Sequence, residues 1–338
     1  MKKSLSLLLV FALILSAFVG LSGCASEDGT EGDALTVCIV VSTGFGDKSF
    51  NDSALAGGEQ LKEDLGINLK TIECKGENFK QYMMSAADEA DVVVPVGWEF
   101  WEIGEVAAEY PDVKFIWVDN VADGIESLPN VLCITYAQNE GSFLAGYIAA
   151  NMSATGVIGA MGGEDVVTIN DFIVGYEQGA KYANSDIKVE RNYANSYDDP
   201  AAGKECAQAL HDLGADIIFQ IAGNSGNGVF EAAKEGGYYA IGVDQDQKIS
   251  APEFDEQIIC SMKKEVGNSI YDTVKALVEE DIWEGARVWV ADMATGYISI
   301  AYGDENSTQQ VGDELKAEVE ALAAKIVSGE IEVETTRE

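Results

Sequence analysis

Few side chains in this sequence are suited to making or breaking bonds. His211 is the single histidine in 338 residues, so a histidine-held metal cluster has no ligands and any Ser-His-Asp relay would have to run through that one ring. Besides Cys24, cysteines stand at Cys38, Cys74, Cys133, Cys206 and Cys260, with no CxxC or other zinc-type spacing. Most fall in apolar, strand-like runs and read as small buried residues, with a single disulfide between neighbouring strands as the alternative. The glycines of Gly44-Phe45-Gly46 invite comparison with a dinucleotide fingerprint, but Ser49 stands where Gly-x-Gly-x-x-Gly needs its last glycine. Neither a metal nor an organic cofactor is expected. The spacing offers binding chemistry instead. In Asp47-Lys48-Ser49-Phe50-Asn51, Asn51 or the nearby Ser53 can cap the helix that follows, while Phe50 either faces a space between domains or staples that helix to its sheet. Gly97, Gly223 and Asp244 fall at the carboxyl ends of candidate strands, where open parallel sheets take their ligands.

The elements that must position these residues alternate strictly. β-branched runs at Thr36–Val41, Asn68–Cys74, Val92–Val96, Lys114–Val118 and Val131–Tyr136 predict strands, with helices near Ser53–Leu65, Phe79–Ala90 and Trp101–Glu109 between them. After a helix around Glu140–Gly146 the pattern restarts, with strands at Val157–Met161, Val189–Tyr193, Asp216–Ile221 and Tyr239–Val243. The closing segment predicts a strand at Ile258–Met262, a helix at Val266–Glu279, strands at Val288–Ala291 and Tyr297–Tyr302, and a charged helix at Asp313–Val327. Two segments repeat. Asp91-Val-Val-Val-Pro-Val-Gly97 leads to Val118-Asp119, and Asp216-Ile-Ile-Phe-Gln-Ile-Ala222-Gly223 leads to Val243-Asp244, each over 28 residues and offset by 125. Two similar α/β domains with parallel sheets follow, rather than one long sheet.

With 47 % hydrophobic residues and only 5 prolines, the bulk of the chain has enough apolar surface to fold. Asp and Glu number 58 against 21 Lys and Arg, a net charge of −37, which excludes nucleic acid as a partner held through phosphates. At the start, Lys2 and Lys3 precede an apolar run from Leu5 to Val19 that ends at Leu21-Ser22-Gly23-Cys24. The run is short for a membrane span and resembles a bacterial lipoprotein signal, which implies removal of residues 1–23 and a lipid anchor on Cys24. Small and acidic residues from Cys24 to Ala34 read as a solvated tether.

Five segments in order carry a wider resemblance: Asp47-Lys48-Ser49-Phe50-Asn51; Glu140-Gly141-Ser142-Phe143-Leu144-Ala145-Gly146; Gly175-Tyr176-Glu177-Gln178-Gly179-Ala180; Asp199-Pro200-Ala201; and Gly228-Val229-Phe230-Glu231-Ala232-Ala233 leading to Ile241-Gly242-Val243-Asp244. On these the chain resembles the basic membrane protein family of lipoproteins, nucleoside-binding relatives of the type I periplasmic binding proteins. The resemblance implies an α/β fold of two Rossmann-like, doubly wound lobes with multiple crossovers. Residues 35–137 with about 262–291 would form the N-terminal lobe, and 138–261 with about 292–330 the C-terminal lobe. It also implies a monomeric, lipid-anchored receptor on the extracytoplasmic face of a bacterial cell membrane, delivering a nucleoside, a purine nucleoside by preference, to the permease and ATPase of an ABC importer.

Carried over by motif, Phe50 is one stacking face for the base and Tyr197 the other. Gly223 offers backbone, and Asp244 with Lys264 binds the ribose hydroxyls; a surface Asp-Lys ion pair is the plain alternative. Asp47 and Asn51 belong to the same set. Two departures fall where the base would lie. Ser42 replaces the acidic residue usual before a longer glycine loop, and Glu102 stands at the usual aspartate position after Gly97, preceded by Trp98, Phe100 and Trp101. Trp98 and Trp101 contact the base or pack between lobes. Two rival readings are a receptor for another polar ligand, sugar-like or signalling, and a surface enzyme acting on nucleosides. The enzyme would need a positioned acid or a carboxylate-held metal near the first strand, where only Asp47 and Asp52 are available.

Overall fold

A computed structural model describes residues 34–76 and 78–336. The expected leader, Cys24 and nearly all of the tether lie outside these residues. Strands β1 (Thr36–Val41), β2 (Asn68–Glu73), β3 (Val92–Val96), β4 (Lys114–Val118), β5 (Val131–Tyr136) and β11 (Arg287–Ala291) form one parallel sheet in the order β11-β5-β4-β3-β1-β2. Strands β6 (Val157–Gly162), β7 (Lys188–Tyr193), β8 (Ile217–Ile221), β9 (Tyr239–Asp244), β10 (Ile258–Lys264) and β12 (Ile298–Ala301) form a second, ordered β12-β10-β9-β8-β6-β7. The two orders are the same pattern. Only β12 runs antiparallel to its neighbour, β10.

The central strands are apolar along their whole length, as in β1 with Val37 to Val41 fully buried, because helices cover both faces of a parallel sheet. The outer strands β2 and β7 keep exposed polar residues. Helices α1 (Phe50–Leu65), α2 (Phe79–Ala87) and α3 (Ile103–Glu109) serve the first sheet. In the second lobe α4 (Gln138–Met152) packs on α5 (Val167–Ala183), and α6 (Pro200–Asp212) on α7 (Ser225–Gly236). A short α8 (Gln247–Ser250), α9 (Val266–Glu280) and α10 (Asp313–Val327) complete the fold.

Helix α9 returns to the first lobe and packs on α1. The chain therefore crosses between lobes at Ala137, at Glu265 and over residues 292–297, and the crossings are tied together. Ala137 N donates to Ala291 O at 3.0 Å, Glu265 N to Tyr297 O at 2.9 Å, and Met293 N to a Glu140 carboxylate oxygen at 2.9 Å. Strand β10 runs to Lys264 in the second sheet, and the second crossing follows it. The glycine-rich motifs at 140–146 and 175–180 prove to be packing devices. A Cβ on Gly179 would stand 1.8 Å from Phe143 O, and one on Gly175 2.2 Å from Asn139 O, so α4 and α5 approach more closely than side chains permit. Among the described residues no helix is long and apolar enough to cross a membrane, and Cys38, Cys74, Cys133, Cys206 and Cys260 are all free thiols.

Candidate ligand-binding cleft

The ends of the sequence repeat meet in one cleft between the lobes. Gly97 follows β3 and Gly223 follows β8, at φ +121° and +53°; Asp119 follows β4 and Asp244 ends β9, at φ +76° and +63°. Positive φ is routine for glycine, and aspartate tolerates it better than most other residues. All four line the cleft, which with its open mouth encloses about 620 Å³. It lies at the carboxyl ends of the strands, where each sheet's order reverses around β1 and β6.

The loop after β1 is built by its own acids. Asp47 accepts from the backbone N–H groups of Ser49 (2.9 Å), Asn51 (2.9 Å) and Asp52 (3.1 Å), so it caps α1, and the helix begins at Phe50 instead of Ser53. Neither Asn51 nor Ser53 is the cap. Asn51 Nδ2 instead donates to Thr43 Oγ1 and Gly44 O, and Asp52 accepts from the N–H groups of Gly46 and Lys48. Burial pushes the Asp47 carboxyl up to about 7, against the three N–H groups that pull it down. The two acids near the first strand are therefore engaged in shaping the loop, and Phe50 is presented to the cleft.

Lys264 is the cation of the site. Its Nζ lies 2.8 Å from Asp119 Oδ2 and 3.8 Å from Asp244 Oδ1, and all three residues are buried. It also sits over three rings, 4.5 Å from the centroid of Phe50, 5.1 Å from Phe172 and 5.2 Å from Tyr136. Burial raises the Asp244 carboxyl, with Lys264 and the Ser49 hydroxyl, which donates to it at 2.5 Å, pulling the other way. A buried pair of this kind holds only while its charges and hydrogen bonds stay matched.

At another part of the cleft, Trp98 Nε1, Glu99 Oε2 and Tyr197 Oη are buried with little to bond to: the Trp98 indole and the Tyr197 hydroxyl lean on each other, Glu99 has the Ser42 hydroxyl beside it, and none of the three atoms makes a well-formed hydrogen bond among the described residues. Burial pushes the Glu99 carboxyl up to about 7, the Ser42 hydroxyl beside it pulling down and the carboxylates of Glu164 and Asp119 adding to the rise. Burial likewise pushes the Tyr197 hydroxyl far up. Buried polar atoms with unfilled hydrogen-bonding capacity are costly, and these face the cleft, where a ligand could fill it.

Residues 34–337 match the Bmp family, described as ABC transporter substrate-binding protein PnrA-like. The chain belongs to the Bmp family. It is 33 % identical over 334 residues to basic membrane protein A of Borreliella burgdorferi, covering 98 % of this chain and 96 % of that protein. Basic membrane protein D of the same species is 36 % identical over 274 residues, 80 % of each chain. Among solved structures, an ABC transporter solute-binding protein from Aeropyrum pernix superposes with a TM-score of 0.80 at 26 % identity, over 90 % of this chain and 94 % of that one. Another from Conexibacter woesei gives 0.72 at 26 % identity, over 90 % and 100 %. The doubly wound, two-lobed architecture is that of type I periplasmic solute-binding proteins.

Within this Bmp-family protein, Ser42, Asp47, Phe50, Asn51, Trp98, Tyr197, Gly223, Asp244 and Lys264 all line the cleft. Glu102 does not. It is the N-cap residue of α3, one turn past the cleft, and Glu99 enters in its place because the chain turns at Gly97 before the helix begins. Trp101, expected to contact the base or pack between lobes, is 67 % exposed. Among the lining residues that escaped sequence reasoning, three matter most, Asp119, Glu99 and Phe172. Asp119 was signalled by the repeat, as the mate of Asp244, and it is the nearer partner of Lys264. Glu99 lay hidden beside Glu102, and Phe172 reads as an ordinary core residue of α5.

Proposed function

We propose that this Bmp-family protein is the lipid-anchored, extracytoplasmic receptor of an ABC importer, that it acts as a monomer anchored through Cys24, and that its ligand is a nucleoside enclosed as the lobes close. The observation that carries this reading is the row Asp119–Lys264–Asp244, an acceptor, a donor and an acceptor held within 3.8 Å at a buried end of the cleft. Vicinal hydroxyls of a ribose match that row, since each hydroxyl both donates and accepts. Phe50 and Tyr197 supply faces for a planar base, at about 1–3 kcal/mol of stacking per base. The Trp98 indole N–H and the Glu99 carboxylate suit a base edge that pairs an acceptor with an N–H donor, as an oxopurine does.

Closure would bury the ligand and bring one surface from each lobe to a permease, so transport would select the closed population. Calorimetry with inosine, guanosine, adenosine, their free bases and simple pentoses tests the reading. Nucleosides should bind and 2′,3′-dideoxynucleosides should bind at least tenfold more weakly. Equal affinity for ribo- and dideoxy forms, or binding of pentoses alone, would reject it. Nucleosides recovered intact after long incubation separate a receptor from an enzyme.

A further inference from the structure

We propose that Asn227, Gln245 and Gln247 are positioning residues that latch the second lobe onto the loop after β1 and set the closed fraction of the protein. Three consecutive main-chain carbonyls of the first lobe are each gripped by an amide side chain of the second. Asn227 Nδ2 donates to Asp47 O at 3.3 Å, Gln247 Nε2 to Lys48 O at 2.9 Å, and Gln245 Nε2 to Ser49 O at 3.0 Å. The Ser250 hydroxyl adds a second donor to Lys48 O at 3.1 Å, and the Lys48 ammonium pairs with Glu253. Lys48 stands at φ +58°, a conformation that a residue with a side chain holds only when its surroundings enforce it.

The gripping group is itself rigid. Gln247 is fully buried, and its Oε1 accepts from Gln220 Nε2 at 2.6 Å and from Val243 N at 2.8 Å. With its oxygen so engaged, its Nε2 must face the first lobe, and its backbone N–H is held by Ser261 Oγ at 2.9 Å. These contacts all run between protein groups. Yet the gripped loop carries Asp47, Phe50 and Asn51 into the cleft, and its Ser49 hydroxyl reaches Asp244. The latch therefore aligns the binding groups of both lobes. Affinity falls in proportion to the fraction of protein that is competent to bind.

The inference rests on the reading that a small ligand is enclosed between the lobes, and its test works without one. Asn227 and Gln245 are only half-buried, so the double variant Asn227→Ala/Gln245→Ala should fold, and Gln247→Leu is a second, buried probe. X-ray scattering of the ligand-free proteins should show the double variant with a larger radius of gyration than wild type. Guanosine, inosine or adenosine, whichever binds, should contract both proteins, the double variant by more. Dissociation from the variant should be about tenfold faster, with melting temperature nearly unchanged. Gln245→Glu, which keeps the shape and loses the donor, should behave as Gln245→Ala does. A ligand-free wild type as expanded as the double variant would overturn the latch. Failure of all three nucleosides to bind, with the scattering difference intact, would reject the nucleoside and leave the latch standing.

Discussion

Glu99 gives a prediction whose size follows from its surroundings. Its carboxyl is pushed from 4.5 up to about 7 in the folded protein, chiefly by burial. A folded-state value raised above the unfolded one means that its contribution is fully present below about pH 4.5 and is lost as pH rises through about 7. Linkage over that interval gives about 2.5 kcal/mol lost between pH 5 and pH 8. Asp47 titrates in the same range, so wild type alone cannot isolate the effect. Glu99→Gln keeps the shape and removes the titration, while Asp47 is common to both proteins and cancels. Urea unfolding of the ligand-free proteins should therefore show the variant gaining on wild type by about 2.5 kcal/mol from pH 5 to pH 8. The groups facing Glu99, namely Ser42, Glu164, Asp119 and Tyr197, are the same in both. If the ligand donates an N–H to this carboxylate, wild-type affinity should also tighten as pH rises across 7, and the variant should be flat. A stability difference independent of pH would refute the assignment of a buried, ligand-facing carboxyl.

Three further predictions follow from the cleft and the leader. Asp119→Ala and Asp244→Ala should each weaken nucleoside binding by about 2 kcal/mol, the worth of a charged hydrogen bond, and calorimetry should rank Asp119→Ala as the costlier for stability because that carboxylate lies 1.0 Å nearer to Lys264 Nζ, at 2.8 against 3.8 Å. Gly163→Ala should displace the Tyr197 ring, since its Cβ would stand 2.2 Å from Tyr197 Cε1; ligand affinity should fall more than melting temperature, and an unaltered affinity would remove Tyr197 from the binding set. Cys24→Ser should release the protein from membranes or leave its leader uncleaved, and fractionation with mass analysis would show membrane attachment persisting if the anchor lies elsewhere.

How far the cleft could be read in advance depended on the range of the interactions. Central strands buried on both faces are contiguous apolar runs, so β1, β3, β4 and β5 begin and end where the residue types change. The repeat placed Gly97, Gly223 and Asp244 at strand ends, and it held Asp119 too, although nothing local marked that aspartate as a partner of Lys264. The two are 145 residues apart and meet across the lobes. Periodicity has no term for such a contact.

Short-range errors have a different origin. Glu102 and Glu99 differ by three positions, less than one turn of helix, and which of them reaches the cleft depends on where the chain turns after β3. The left-handed conformation at Gly97 and the helix start at Ile103 settle it, and neither is visible in composition. Asp47 could cap α1 only because the loop folds back and lays its carboxylate over three backbone N–H groups. Residue types thus determined two α/β lobes and their strand ends, because burial and chain direction act locally, while the proposed lining side chains were marked by the resemblance to a known family. Tertiary structure alone decided which carboxylate faces Lys264, which acid is spent on a helix terminus and which amides reach across the cleft, because those choices exist only once the two lobes are brought together.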